Sequence, residues 1–415
     1  MDKSLKPLKI YIIYNGCQMR SLDATRLHNY FIYNNQIIVD KPEDADFNIL
    51  VTCGVIRKQV ESSFQLIEDY LKYKGELIVM GCVPAIAQDE FRQKFNVKYL
   101  STKNLNDIDN FFPEFMLKFM DVPFAHESYK KHVEYDVFKE RERNDTLKSF
   151  TGEFEISKKF LYKCVSTVRS KLRMEDKDKR NEEVKYICIA NGCRNKCAYC
   201  GIRIAIGPLK SKPLADCVVE YKKLIDEGYR NFRIIADDLG AYGLDIGSSF
   251  AELLEQFALI DKGTGSRWIF EDLNPKWLIK YKDTLYKYVK KGKIIELLCP
   301  LQSGNNRILK LMNRDYDINE VTALLVRFKK ANPLITLISH AIVGFPTETE
   351  MEFEDTLKML EKLNCDELTI LGYHDSEGIL SHNIEPKIEK QIIQNRLNKV
   401  RELLLKLKTP IARVY

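Results

Sequence analysis

Short apolar runs alternate along this chain with longer stretches in which apolar residues recur every three or four positions. In the first hundred residues the runs are KIYIIYNG, DFNILVTCGV and GELIVMGCVP. Between them lie SLDATRLHNYFIYNN and RKQVESSFQLIEDYLKYKG, both of helix length. This alternation predicts a small open parallel sheet over residues 8 to about 115, within an N-terminal domain of residues 1–120. A second series, VKYICIA, FRIIADD, SRWIFEDL, KIIELLCPLQSG, LITLISHAIVGFP and DELTILGYHDS, is separated by helical patterns such as SFAELLEQFALIDK and INEVTALLVRFKKAN. Six strand–helix units predict a parallel partial barrel over residues 184–390, with its chemistry at the strand carboxyl ends. Residues 391–415 read as a closing helix. Residues 121–183 mix acids and bases with few apolar anchors and read as a charged linker. Within it, EFEISKKFLYKCVSTVRSKLR carries apolar spacing for one amphipathic helix, which would cover the interface or touch a macromolecular substrate.

Composition narrows the class only modestly. The 415 residues, 45% hydrophobic and 30% charged, suit a globular protein of two or three domains. The longest apolar runs are too short to span a bilayer. The opening MDKSLKPLKIYIIYNG lacks the long apolar core of a signal peptide. A cytoplasmic setting without membrane attachment is therefore expected, where thiols stay reduced. Eleven cysteines in such a chain read as metal ligands or isolated core residues, not bridges. The net charge of +6 permits nucleic-acid contact without demanding it.

Two cysteine sets carry the chemistry. Cys17, Cys53 and Cys82 each follow a predicted strand of the first sheet and stand beside a glycine. In a parallel sheet the strand carboxyl ends share one edge, so three residues 36 and 29 positions apart can converge there. One cysteine after a buried strand is an ordinary small core residue. Three in matching places read instead as a three-thiolate iron–sulfur site. The second set, Cys193, Cys197 and Cys200, forms a C-x3-C-x2-C run in GCRNKCAYCGI directly after VKYICIA. A structural zinc site needs four ligands, and no second C-x2-C pair is present. Three thiolates on a 4Fe-4S cube leave one iron open to bind a substrate or cofactor. This spacing is the signature of radical S-adenosylmethionine (SAM) enzymes.

With both sets placed, the chain resembles the radical SAM methylthiotransferases, which modify tRNA adenosines or a ribosomal protein aspartate. The resemblance is carried by NGCQMRSLDA, PEDADFNILVTCGVIRKQVE, IVMGCVPA, GCRNKCAYCGI, GPLKSKPL, PLQSGNNRILKLMNRDY and AIVGFPTETEMEFEDTL. It implies an α/β architecture: an N-terminal Rossmann-like parallel-sheet domain and a radical SAM partial (β/α)6 TIM barrel. It also implies two 4Fe-4S clusters, one on Cys17, Cys53 and Cys82 and one on Cys193, Cys197 and Cys200, together with SAM. One SAM would donate a methyl group and another would yield the 5′-deoxyadenosyl radical. The open iron of the first cluster would carry the sulfur to be transferred. By the same resemblance, Tyr199 lies near the adenine of SAM, Gln302, Ser303 and Gly304 near its ribose, and Ile342, Val343 and Gly344 flank the adenine. A reductant such as flavodoxin or ferredoxin is the implied electron source.

The chain departs from the family at strand ends, where substrate would sit. Cys299 stands where an acidic residue is common and His340 where aspartate is common. Asp237 and Asp238 replace a Gly-Gln pair, and GYHDSEGIL replaces a Ser-x-Arg-x-Gly-Thr stretch. These changes predict an altered pocket, with His340 and Cys299 as catalytic candidates. Cys164, Cys188, Cys217 and Cys365 lack metal spacing and read as structural. The tRNA-modifying members end in a β-barrel RNA-binding TRAM domain, and LLLKLKTPIARVY shows no such pattern. The first reading is therefore a methylthiotransferase acting on a peptide or protein, such as a ribosomally made precursor peptide. The second is a tRNA methylthiotransferase whose basic run KYVKKGK meets phosphates. Sulfur insertion without the methyl group and a non-catalytic iron–sulfur protein complete the set.

Overall fold

The computed structural model describes residues 6–132 and 183–415, apart from 262, 377 and 408. Contacts divide the chain into two units: Met1–Arg143 with Gly201–Pro208, and Asn144–Cys200 with Leu209–Tyr415.

The first unit is built on a parallel sheet of β1 (Lys9–Tyr14), β2 (Ile37–Ile38), β3 (Phe47–Thr52), β4 (Glu76–Gly81) and β5 (Lys98–Ser101). Their order is β2-β1-β3-β4-β5, all parallel. Ile10, Ile12, Ile49, Val51, Ile78 and Met80 pack on one face with Leu27, Tyr30, Phe31, Phe112 and Phe119. Tyr11, Ile13, Leu50, Leu77 and Val79 pack on the other with Phe64, Ile67 and Phe91. Burial on both faces explains why these strands read as unbroken apolar runs. Each fully buried Ile, Val or Leu contributes about 1.5–3 kcal/mol. The three predicted strands are β1, β3 and β4; β2 and β5 were too short to register in the pattern.

The expected linker begins later than residue 121. Arg26 Nε donates to Val122 O at 3.0 Å, the Tyr129 N–H to Ser21 Oγ at 2.8 Å, and the Tyr14 N–H to Lys131 O at 3.4 Å. Charge made this stretch look solvated, but its backbone and its apolar minority are tied to the first unit. The amphipathic helix expected within EFEISKKFLYKCVSTVRSKLR, and Cys164 with it, lie outside the described residues.

In the second unit the six predicted strands appear as β6 (Val184–Asn191), β8 (Asn231–Ala236), β9 (Arg267–Phe270), β10 (Ile294–Leu298), β11 (Thr336–Val343) and β12 (Glu367–Gly372). They pair in parallel, in sequence order. Two short strands were not anticipated. β7 (Lys210–Ser211) runs antiparallel to β6 at one edge. β13 (Ile411–Val414) lies parallel to β12 at the other. The closing segment is thus helix Lys390–Leu407 followed by a strand, not a helix alone. Phe232, Ile234, Trp268, Phe270, Leu337, Leu368 and Ile370 join the core with helix residues such as Leu253, Phe257, Leu325, Phe328, Leu360 and Leu397. That face is the helix-covered outside of a curved sheet, as a right-handed βα series requires. Among the described residues no helix is long and apolar enough to cross a membrane.

Candidate active site

The first cysteine set occupies three adjacent strand ends. Cys17 follows β1 and precedes helix Gln18–Tyr33, Cys53 follows β3, and Cys82 follows β4. Because β1, β3 and β4 are neighbours, three distant sequence positions meet at one sheet edge. Cys53 and Cys82 are buried and Cys17 is exposed. Asn15 anchors the edge: its Oδ1 accepts the Cys53 N–H at 3.1 Å, and its Nδ2 donates to Ser63 Oγ at 3.0 Å. Ser63 Oγ in turn donates to Cys53 O at 2.9 Å. The glycines are steric necessities. A Cβ on Gly16 would stand 2.6 Å from Cys53 Cβ, and one on Gly81 (φ +106°) 2.2 Å from Thr52 O.

Cys53 and Cys17 are hydrogen-bonded, and this contact, with burial and the nearby Cys17 and Cys82 sulfurs, holds the Cys53 thiol well above its ordinary range. Cys82 Sγ lies 3.7 Å from Thr102 Oγ1, and that hydroxyl also accepts from the guanidinium of Arg20. Arg20, buried and paired with Asp23 at 3.0 Å, sets a cation beside these sulfurs. It was not singled out from sequence, because nothing local marks a helix arginine as buried.

The second set follows β6. The Cys193–Cys200 loop is fastened by its backbone: the Cys200 N–H donates to Cys197 O at 3.2 Å, the Ala198 N–H to Met312 O at 3.0 Å, and the Ser381 N–H to Ala198 O at 2.8 Å. Asn195 donates to Cys193 Sγ from both its backbone N–H and Nδ2, each at 3.4 Å. Asn195 is oriented in turn by Asp238 Oδ2 at 2.8 Å and by Lys276 Nζ on its Oδ1. Trp277 Nε1 fixes Asp238 Oδ1 at 2.8 Å. Burial, with Asp238 nearby, pushes the Cys193 thiol up to about 12, against the two N–H bonds that lower it. Loading iron must therefore expel protons from both sets.

Tyr199 packs in this loop with its hydroxyl accepting from Arg314 Nε at 3.0 Å and Nη2 at 2.7 Å. Arg314 is a buried guanidinium electrostatically coupled to Cys197 as well. It lies in the quoted segment LKLMNRDY, yet one arginine beyond a helix end carries no sequence signal of that contact. The two segments expected at SAM are neighbours. The Gln302 N–H donates to His340 O and the Ile342 N–H to Gln302 O, both at 2.8 Å. Gln302 takes a left-handed backbone (φ +68°), and Ser303 is wholly buried. The Gly304 N–H donates to Thr356 Oγ1 at 2.9 Å. Beyond Val343, the Gly344 N–H is held by Glu348 Oε2 at 2.7 Å, and Arg396 meets the same carboxylate at 3.0 Å.

The departures sort differently from the expected altered pocket. Asp237 Oδ2 accepts the Gly192 N–H at 2.7 Å and Asp238 orients Asn195, so both serve the cysteine loop. In GYHDSEGIL, Asp375 accepts from Tyr373 at 3.0 Å and meets His382 at 2.9 Å, which folds the loop on itself. Cys299, a catalytic candidate by sequence, is buried in the main apolar core, where burial raises its thiol. That placement removes it from the catalytic list. Cys188, Cys217 and Cys365 are buried, as expected of structural residues. The basic run KYVKKGK ends helix Lys282–Lys290 and leads into the start of β10. It therefore lies at the strand amino ends, opposite the cysteine edge, and Lys287 is paired with Glu255 at 2.8 Å.

The donors suit iron–sulfur clusters better than single ions. Among the described residues no three His, Cys, Asp or Glu side chains converge as one metal ion would require. A cube separates its thiolate ligands more widely, and thiolates are the soft donors iron and sulfide prefer.

Comparison with known proteins agrees with this geometry. The radical SAM superfamily model matches residues 187–360, and the model of uncharacterized protein family UPF0004 matches residues 9–101. The chain is 29% identical over 377 residues to the tRNA-2-methylthio-N(6)-dimethylallyladenosine synthase of Thermotoga petrophila, covering 90% of this chain and 76% of that one. It is 26% identical over 408 residues to the ribosomal protein uS12 methylthiotransferase of Salmonella paratyphi B, covering 95% and 81%. In fold it is similar to the radical SAM methyltransferase TsrM of Kitasatospora setae, with a TM-score of 0.55 at 10% identity, covering 87% of this chain and 72% of that one. Domain models in this order, and homology along nine-tenths of the length to enzymes of two substrates but one chemistry, identify the chain as a radical SAM methylthiotransferase, an enzyme of two 4Fe-4S clusters and SAM.

Proposed function

We propose that this enzyme is a tRNA methylthiotransferase acting on an adenosine. The observation that carries the reading is the similarity along 90% of the chain to the Thermotoga petrophila tRNA enzyme. A protein target is the second reading, favoured by the similarity along 95% of the chain to the uS12 enzyme. Those two relatives are named for a tRNA and a ribosomal protein, not for a short precursor peptide. The expected peptide preference therefore gives way to these two.

When bound, the clusters and SAM supply the radical, methyl and sulfur chemistry. The chain supplies placement. Cys17, Cys53 and Cys82 would hold the cluster of the first unit; Cys193, Cys197 and Cys200 would hold that of the second. Asn195 directs N–H groups at Cys193 Sγ, and Arg314 with Tyr199 fixes the loop beside Cys197. Gln302 to Gly304 and Ile342 to Gly344 form the paired backbone against which SAM would lie. A one-electron reductant such as flavodoxin or ferredoxin, and a cytoplasmic setting, belong to the same proposal.

The test is anaerobic turnover of reconstituted protein with tRNA and with uS12, followed by mass spectrometry of both pools. Replacement of H by S–CH3 on an adenosine supports the first reading. The same replacement on uS12 alone replaces it with the second.

A further inference from the structure

The inner face of the barrel sheet carries a set of charges that the family resemblance did not predict. In parallel pairing, residues in register point to one face. The register Tyr186–Arg233–Ile269–Glu296–Thr336 crosses from β6 to β11. Higher on β11, the register His340–Thr369–Arg413 reaches β13, with Ile338 and Glu367 one layer below on the same face. The intervening residues Phe232, Ile234, Leu297, Leu337, Leu368 and Ile370 belong to the helix-covered core. The charged set therefore lines the lumen. It lies directly under the predicted SAM segment, since His340 O accepts the Gln302 N–H at 2.8 Å.

Arg267, in register with Asn231, stands on this face one layer lower, and the two guanidinium groups above it, Arg233 and Arg413, are already engaged. Arg233 is paired with Glu271, which directly follows β9, and with Glu296 at 3.3 Å. Arg413 is paired with Glu367. Around Glu296 two arginines meet three carboxylates; burial, together with this local excess of acid over base, raises the Glu296 carboxyl against the pull of Arg233. His340 adds none near neutrality, because burial, with Arg413 nearby, lowers its imidazole to about 4. Side-chain exposures of 20% for Arg233, 15% for Glu271 and 25% for Glu296 leave these oxygens within reach of an entering group.

We propose that this face is the specificity surface of the methylthiotransferase site, with Glu296 the deciding residue: it admits a neutral or cationic hydrogen-bond donor, such as an amino-substituted heterocycle, and rejects a carboxylate. A donor edge finds carboxylate oxygens that can accept from it. A carboxylate meets excess like charge, and each guanidinium that would neutralise it already serves a partner. The inference deepens the tRNA reading and rests on it for the identity of the heterocycle.

The experiment compares kcat/KM of the reconstituted holoenzyme on three probes: an adenosine-bearing RNA hairpin, uS12 with aspartate at the modified position, and the same uS12 with asparagine there. The wild type is expected to favour the neutral probes over the aspartate form by at least about tenfold, the effect of one like charge about 12 Å away at an effective dielectric near 20. Glu296→Gln is expected to shrink that ratio about tenfold, with iron content and thermal melt as controls for folding. Glu367→Gln serves as a second variant if Glu296→Gln does not fold, with a smaller drop expected in the same direction. Equal or better processing of the aspartate form by the wild type overturns the proposal, as does a ratio unmoved in a folded variant. A preference for asparagine over aspartate without RNA turnover overturns the tRNA reading and upholds this one. No turnover of any probe counts against both.

Discussion

The two cysteine sets solve one ligation problem in opposite ways. Cys193, Cys197 and Cys200 lie within eight residues, and a loop pinned by Asn195, Asp238 and Arg314 shapes them. Cys17, Cys53 and Cys82 span 66 residues and are assembled by the β1-β3-β4 order of a sheet. The loop set can be aimed by changing a few polar contacts. The sheet set can be moved only by moving strands. Its geometry is thus as stable as the first unit's core, while the loop set depends on a hydrogen-bond web.

The largest effect that could break this comparison comes from the ligands. Cys193→Ser should abolish SAM cleavage, whereas Cys53→Ser should keep reductive cleavage and lose sulfur transfer. Each variant should retain about four irons of the full complement. Loss of SAM cleavage in Cys53→Ser would mean the sets do not act separately. Next in size, Gly81→Ala should destabilise the first unit by about 3 kcal/mol, read as a lower urea midpoint, because its Cβ collides with the Thr52 backbone at an unfavourable φ. An unchanged midpoint would show that the strand ends are looser than the sheet set requires. Trp277→Phe removes the indole donor from Asp238 and should cost about 1–2 kcal/mol. It should also shift the reduction potential of the Cys193 cluster while leaving the other unmoved. A shift in both would show that the web is not local to the loop.

The smallest effect concerns pH. The folded His340 imidazole resists protonation down to about 4, while its ordinary value is 6.5. Unfolding therefore takes up a proton in that window, and the stability this group contributes is lost as pH falls from 6.5 toward 4. His340→Asn should flatten this part of the profile in thermal melts at graded pH. An identical slope in the variant would assign the acid sensitivity elsewhere.

Much of the frame was legible in the pattern. The six barrel strands and β1, β3 and β4 are buried on at least one whole face, so their apolar runs announce them. Ile37–Ile38, Lys210–Ser211 and Ile411–Val414 are too short to hold a pattern and exist through pairing with a neighbour. Residues 121–132 misled because charge was taken for solvation, whereas Val122, Tyr129 and Lys131 dock through backbone atoms. At the site, the ligand cysteines could be read from spacing and from strand ends. Arg20, Arg314 and the Asn195–Asp238–Trp277 web could not, because each depends on contacts between residues tens of positions apart. For Cys299 strand alternation decides between candidate and core residue: Leu298 shares the register of Ile338, so its neighbour faces the core.

The last strand has a practical consequence for anyone handling the protein. The Gly372 N–H donates to Tyr415 O at 2.7 Å and the Tyr415 N–H to Ile370 O at 2.9 Å, so this terminus emerges at the rim where the strands finish. A fluorophore attached at Tyr415 would hang over the carboxyl ends of the barrel strands and crowd whatever enters there.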